Sequence, residues 1–174
     1  MASPSPSNHF AFFDLPESFE LDKDELASRY RRLAAALHPD RFASGSERDR
    51  AQALAKTAML NDAFDTLRHA TRRAEYLLSL NGVELADESR TLKDTAFLMQ
   101  QMEWREALMD IEDADGIDAM RKTILDARAA LHQEFTSLYG QQDFDAAADT
   151  VRKLKFVDKM LIEIERLEES LLDY

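Results

Sequence analysis

The sequence predicts an all-α protein, built as an N-terminal helical hairpin followed by a C-terminal antiparallel three-helix bundle. Three observations carry that expectation. Hydrophobic residues make up 45% of the 174, too many for a disordered chain. Four Gly and four Pro are too few turn formers for a many-stranded β fold. Apolar residues recur at steps of three and four, the period of helices with one face turned inward.

The first helix is expected at about 21–37, with Leu26, Tyr30, Leu33 and Leu37 on one stripe. Asp22 reads as its N-cap and Glu25 as a first-turn acid. Pro39 pushes His38 out of the α region and so ends it. The loop His38-Pro39-Asp40-Arg41-Phe42-Ala43-Ser44-Gly45 follows. Ser46 then caps a second helix whose predicted inward stripe is Ala51, Leu54, Ala58, Phe64 and Leu67. A short helix at about 70–80 ends at Asn81-Gly82, where the glycine can take the left-handed cap conformation. Three longer helices are expected at about 91–112, 117–139 and 143–172, with Gly116 and Gly140 at the two turns. The predicted organisation is a tail over 1–8, a first domain over 9–82, a linker over 83–90 and the bundle over 91–174.

Lys+Arg 22 against Asp+Glu 34 leave a net charge of −12. That field repels phosphate backbones and no basic patch is large enough to outweigh it, so nucleic acid is not an expected partner. No apolar run approaches the roughly 18 residues that span a bilayer, and no membrane is expected either. Without cysteine there is no thiolate nucleophile and no Cys-ligated zinc or iron–sulfur cluster in this chain. No cofactor is expected, and metal chemistry would belong to a partner. The opening Met1-Ala2-Ser3-Pro4-Ser5-Pro6-Ser7 has neither the basic and apolar regions of a signal peptide nor the arginines of a presequence, and reads as the flexible tail of a cytoplasmic protein.

By itself His38-Pro39-Asp40 is a helix stop. Its setting says more, because a helix with basic residues on its outer side precedes it and Leu60-Asn61-Asp62-Ala63-Phe64 follows on the next helix. Residues 26–41 contain Arg29, Arg31, Arg32 and Arg41 against Asp40 alone, a local +3 (four minus one) in a chain of −12. A basic face kept on an acidic protein suits an acidic partner surface; the alternative is a solvated helix face near the C-terminal dipole. The arrangement resembles the J-domain of DnaJ-type co-chaperones, which stimulate ATP hydrolysis by a DnaK-class chaperone. The resemblance implies a chaperone-binding surface of His38, Pro39, Asp40, Arg29, Arg31, Arg32 and Arg41. Asp40 is then a rigidly presented carboxylate acting on an arginine-bearing network in the partner's ATPase, with Pro39 fixing its backbone and His38 its hydrogen-bonding neighbour.

The likeness extends over nearly the whole chain from about Phe10. The loop from His38 to Ser46, the run Arg73-Ala74-Glu75-Tyr76-Leu77-Leu78-Ser79-Leu80, Asp94-Thr95-Ala96-Phe97-Leu98-Met99, and the run from Asp145 to Leu154 are similar to HscB, the J-type co-chaperone of iron–sulfur cluster assembly. That resemblance implies a bacterial-type co-chaperone that brings an IscU-type scaffold to an HscA-type chaperone and stimulates its ATPase. Arg41 stands where many J-domains have lysine, which keeps the charge. The Gly/Phe-rich linker and zinc-binding cysteines of general DnaJ proteins, and the cysteine-bearing extension of eukaryotic relatives, are missing from the sequence.

Helix geometry independently points to a second surface. At about 100° per residue, Phe97, Trp104, Leu108 and Ile111 fall in one narrow arc, the expected core side. Leu98, Met102 and Met109 form a second apolar stripe beyond Gln101 and Arg105, and Met99, Glu103, Glu106 and Asp110 lie beyond that. The second stripe either packs on the first domain or waits for a partner, and methionine suits an adaptable contact. On the last helix Leu154, Val157, Leu161 and Ile164 keep to one side and Phe156 projects from another, a candidate hot spot. The HscB resemblance assigns Leu98, Met99, Met102, Glu103, Glu106, Asp110 and Phe156 to scaffold binding.

Other signals amount to little. With Gly116 at the sixth position of an EF-hand loop, Ile111 and Lys122 occupy positions that need carboxylates, so the acids of residues 100–118 do not read as a calcium loop. His9, His69 and His132 form no ligand cluster, and no catalytic constellation is visible, so the chain is not expected to be an enzyme. Two rival readings are a J-protein for another client and an acidic structural helical module.

Overall fold

A computed structural model describes residues 7–85 and 94–173. Among them are seven α-helices and no strand: α1 (His9–Phe12), α2 (Lys23–Ala36), α3 (Glu47–Arg68), α4 (Ala70–Leu80), α5 (Thr95–Met109), α6 (Ala114–Gly140) and α7 (Phe144–Leu172). A 3₁₀ turn, Pro39–Phe42, lies between α2 and α3. The all-α class is as predicted. Most of the expected tail (1–8) and linker (83–90), and the expected start at 91–93 of the bundle, lie outside the described residues. The chain divides into two compact units, 1–77 and 78–174, so the division passes through the last turn of α4.

In the first unit the caps are those the sequence predicts. The Asp22 carboxylate accepts from the N–H groups of Asp24 and Glu25 at 3.0 and 3.1 Å, and the Ser46 hydroxyl accepts from Asp49 at 3.1 Å. These bonds satisfy amides that the first helical turn leaves without intrahelical partners. Leu26 is fully buried and Tyr30, Leu33 and Leu37 partly so. The Tyr30 ring stacks on Phe64 at 4.1 Å, and its hydroxyl donates to Asn61 Oδ1 at 2.9 Å, which joins α2 to α3.

The predicted stripe of α3 needs correction. Ala53, Leu60, Ala63 and Leu67 face inward, whereas Ala51, Leu54 and Ala58 are exposed, Leu54 by 62%. The helix is rich in alanine and carries apolar residues on both sides, so periodicity alone does not select the packed one. Helix α1 was not expected either, because four residues are too few for a period to show. Asn8 caps it by accepting from the Ala11 N–H, and Phe10 is buried.

In the second unit α6 and α7 form an antiparallel hairpin, and Trp104 of α5 joins Ile117, Ile124, Leu154, Met160 and Ile164 in one core. Asp94, Asp113 and Asp143 cap α5, α6 and α7. Gly116 does not stand at a turn, where the sequence places it. Gly116 lies inside the first turn of α6, its N–H donating to Asp113 at 2.8 Å, and a Cβ there would meet Ile111 at 3.2 Å. Gly140 is the last residue of α6, and the left-handed residue of the turn is Gln142 (φ 59°). Gly82 does take the predicted left-handed conformation (φ 78°) after α4. No helix among the described residues is long and apolar enough to cross a membrane.

Candidate functional site

The first site is the connection from α2 to α3. Pro39 sits at the first position of the 3₁₀ turn, where its fixed φ is favourable and its missing N–H costs nothing. His38 caps that turn: its Nδ1 accepts the Asp40 backbone N–H at 3.3 Å. The same Nδ1 lies 3.5 Å from Asp40 Oδ2, and the Asp40 side chain is 93% exposed. The carboxylate therefore stands in solvent on a backbone held from both sides, by a proline and by a capping ring.

The predicted basic residues around it fall into two groups. Arg31, Arg32 and Arg41 are exposed. Arg29 is instead engaged within its own unit, donating to Glu25 at 2.7 Å and to the carbonyls of Phe13 and Asp14 at 2.7 and 2.6 Å. It fastens the end of α1 to α2, with Asp14 in the left-handed region (φ 53°). Spacing could not separate the two groups, because the segment that Arg29 holds is distant in sequence.

The second site is the outer face of α5 with the adjoining edge of α7. Leu98, Met99, Met102 and Met109 are exposed, Met102 by 66%, and so are Glu103, Glu106 and Asp110. Phe97, Leu108 and Ile111 pack against the core as the helical arc predicts. Phe156 departs from the picture of a freely projecting ring. It is partly buried, stacks on Trp104 at 6.4 Å, meets Phe97 edge-on at 6.0 Å, and lies under the Arg105 guanidinium at 5.5 Å. Arg105 also bridges to Glu163 of α7 at 2.8 Å. At the start of α5, Lys153 donates to Asp94 at 2.7 Å and holds that carboxyl below its usual range. The apolar strip thus lies on a frame cross-braced to α7, which sequence reasoning missed because the partners are 58 and 59 residues apart.

Among the described residues no group of three or more His, Asp or Glu side chains is placed to hold a metal ion.

Comparison with known proteins sets these surfaces in a family. The co-chaperone protein HscB homolog of Aeromonas salmonicida (strain A449) is 49% identical over 170 residues, covering 95% of this chain and 99% of that protein. That of Shewanella loihica is 46% identical over 171 residues, covering 94% and 99%. The chain belongs to the HscB co-chaperone family. Its C-terminal part, residues 93–165, also matches the family model described as the HSCB C-terminal oligomerisation domain. Among solved structures, chaperone HscB from Vibrio cholerae is 42% identical with a TM-score of 0.84, covering 94% of this chain and 99% of that one. The human co-chaperone HscB is 26% identical with a TM-score of 0.86, covering 95% and 85%.

The HscB-like run 73–80 has a packing reason. Ala74, Leu77 and Leu78 are fully buried, and the Tyr76 hydroxyl accepts from the His9 N–H at 2.9 Å. Arg73, only 5% exposed, donates to the carbonyls of Phe19 and Leu67 at 2.7 Å each and lies over the Phe19 ring at 5.0 Å. Burial lowers the pKa of its guanidinium from the ordinary value. One arginine thereby closes two backbone segments on α4.

Proposed function

We propose that this HscB-family chain is a two-surface adaptor. Through His38-Pro39-Asp40 and the exposed Arg31, Arg32 and Arg41 it engages an HscA-type chaperone of the DnaK class and stimulates its ATP hydrolysis. Through Leu98, Met99, Met102, Glu103, Glu106, Asp110 and Phe156 it binds an IscU-type iron–sulfur scaffold and delivers it. The reading rests on one observation above the others: the Asp40 carboxylate is almost fully exposed on a turn capped by its own neighbour. A carboxylate held this way has no interior work to do, and its orientation is set before an encounter, so little ordering is needed on binding.

No bond is made or broken in this chain. Arg31, Arg32 and Arg41 raise the encounter rate with an acidic surface and fix its orientation. Asp40 then presents a negative charge to cationic groups around the partner's nucleotide site. Scaffold and chaperone held by one molecule meet at high effective concentration, which favours capture of the scaffold as hydrolysis occurs.

Steady-state ATPase of an HscA-type chaperone, with and without the scaffold, tests the reading. Asp40→Asn is expected to leave helicity and melting unchanged and to remove the stimulation. Retained stimulation refutes the role given to Asp40.

A further inference from the structure

The outward side of α7 beside the proposed client face carries a feature that neither the family membership nor the proposed contacts use. Phe156 and Glu163 mark the side of α7 turned to α5, through the Trp104 stack and the Arg105 ion pair. At about 100° per residue, Lys159 and Arg166 lie about 40° and 60° from Glu163, both displaced toward solvent. Ile162, 49% exposed, lies about 40–60° further round, beside them. Lys159 and Arg166 are exposed as well. Asp158 and Glu165 fall further round toward α6, where Glu168 pairs with Arg121. Glu169, exposed, comes one turn after Arg166 and about 20° beyond Ile162, on the acidic side. Lys159 and Arg166 thus lie between Glu163 and Ile162 and make the part of α7 nearest the client face positive, on a chain whose net charge is −12, while the acids begin beyond Ile162.

We propose that the client face continues across Phe156 onto this edge, and that it reads its partner by sign. Negative Glu103, Glu106 and Asp110 border the Leu98–Met102 strip on one side, and positive Lys159 and Arg166 with Ile162 border it on the other. The partner that fits has an apolar patch with basic groups along one margin and acidic groups along the opposite margin. A partner docked the other way round meets like charges at both margins, so the pair of edges fixes orientation more than affinity. The inference rests on the scaffold-binding reading above, and the occupant is the IscU-type scaffold.

Titration calorimetry of the full chain with recombinant IscU-type scaffold tests it. Lys159→Glu with Arg166→Glu is expected to raise Kd about tenfold at low salt, and the difference should vanish near 0.5 M salt, where the Debye length is about 4 Å. Lys159→Gln with Arg166→Gln, which adds no like-charge pairs along the helix, should give a smaller shift of the same sign. Trp104 emission and the urea midpoint of both variants should match the parent. Unchanged Kd at low salt in both variants, while Leu98→Ser with Met99→Ser loses binding, overturns the extension and leaves the client face standing. If Leu98→Ser with Met99→Ser also binds as the parent does, the client-face reading itself is overturned.

Discussion

Truncating Phe156 to alanine separates what that ring does for the bundle from what the exposed strip does for a partner. A fully buried Phe→Ala change costs about 3–5 kcal/mol, and partial burial roughly halves that. The ring also loses its stack on Trp104 and its edge contact with Phe97, about 0.5–1.5 kcal/mol beyond area, and the Arg105 cation above it, about 0.5–1 kcal/mol. The expected destabilisation is about 3 kcal/mol. Leu98→Ser removes an exposed side chain and should change stability by no more than about 0.5 kcal/mol. Urea unfolding followed by Trp104 emission reports on the second unit alone, because Trp104 is the one tryptophan of the chain and lies in that core. Circular dichroism follows both units. Phe156→Ala should lower the fluorescence midpoint and move the emission to the red, as Trp104 gains water. A parental midpoint and emission in Phe156→Ala would refute the claim that this ring braces α5 on α7. Any loss of scaffold binding in that variant is then partly structural, which is why Leu98 and Met99 are the cleaner positions for testing the client face.

Two further outcomes follow from the first unit. Arg73→Met keeps an apolar stem of similar length but leaves the Phe19 and Leu67 carbonyls without their donor, at about 1–3 kcal/mol each, offset by relief of guanidinium burial. A net loss of about 2 kcal/mol is expected in circular dichroism melts, and a more stable variant would contradict the clamp. His9 stacks on Tyr76 at 4.4 Å, and burial lowers its pKa from 6.5 in spite of Asp62 at 3.5 Å. The unfolded chain therefore binds this proton more readily than the folded one, so the contribution is whole above pH 6.5 and falls as the pH drops below it. His9→Phe, which keeps a ring against Tyr76, should flatten that part of the stability profile; an unchanged slope between about pH 6.5 and 5 would show that His9 is not its source.

Helices whose ends carry local chemistry were legible without the fold. Asp22, Ser46 and the Pro39 stop depend on atoms within three residues of each other, and they stand where the sequence predicts. The inward arc of α5 was readable too, because one side offers Phe97, Trp104 and Leu108 and the other mixes methionine with acids. On α3 both sides are apolar, so only the packing of α1 and α2 against it decides that Leu60 is buried and Leu54 is not. Gly116 departs from its expected place at a turn because the start of α6 is set by the Asp113 cap, which draws the glycine into the helix.

Local sequence, acting through backbone sterics and side chains a turn away, determined the helical class, the capped ends and the presentation of the His38-Pro39-Asp40 turn. Tertiary structure decided which cations are available and which are engaged, because desolvation and pairing depend on segments far off in the chain. Arg29 and Arg73 are drawn onto carbonyls of the connector after α1 and of α3, Arg105 onto Glu163, and Arg31 and Arg32 remain in water although they are of the same type and, on α2, only two or three residues from Arg29.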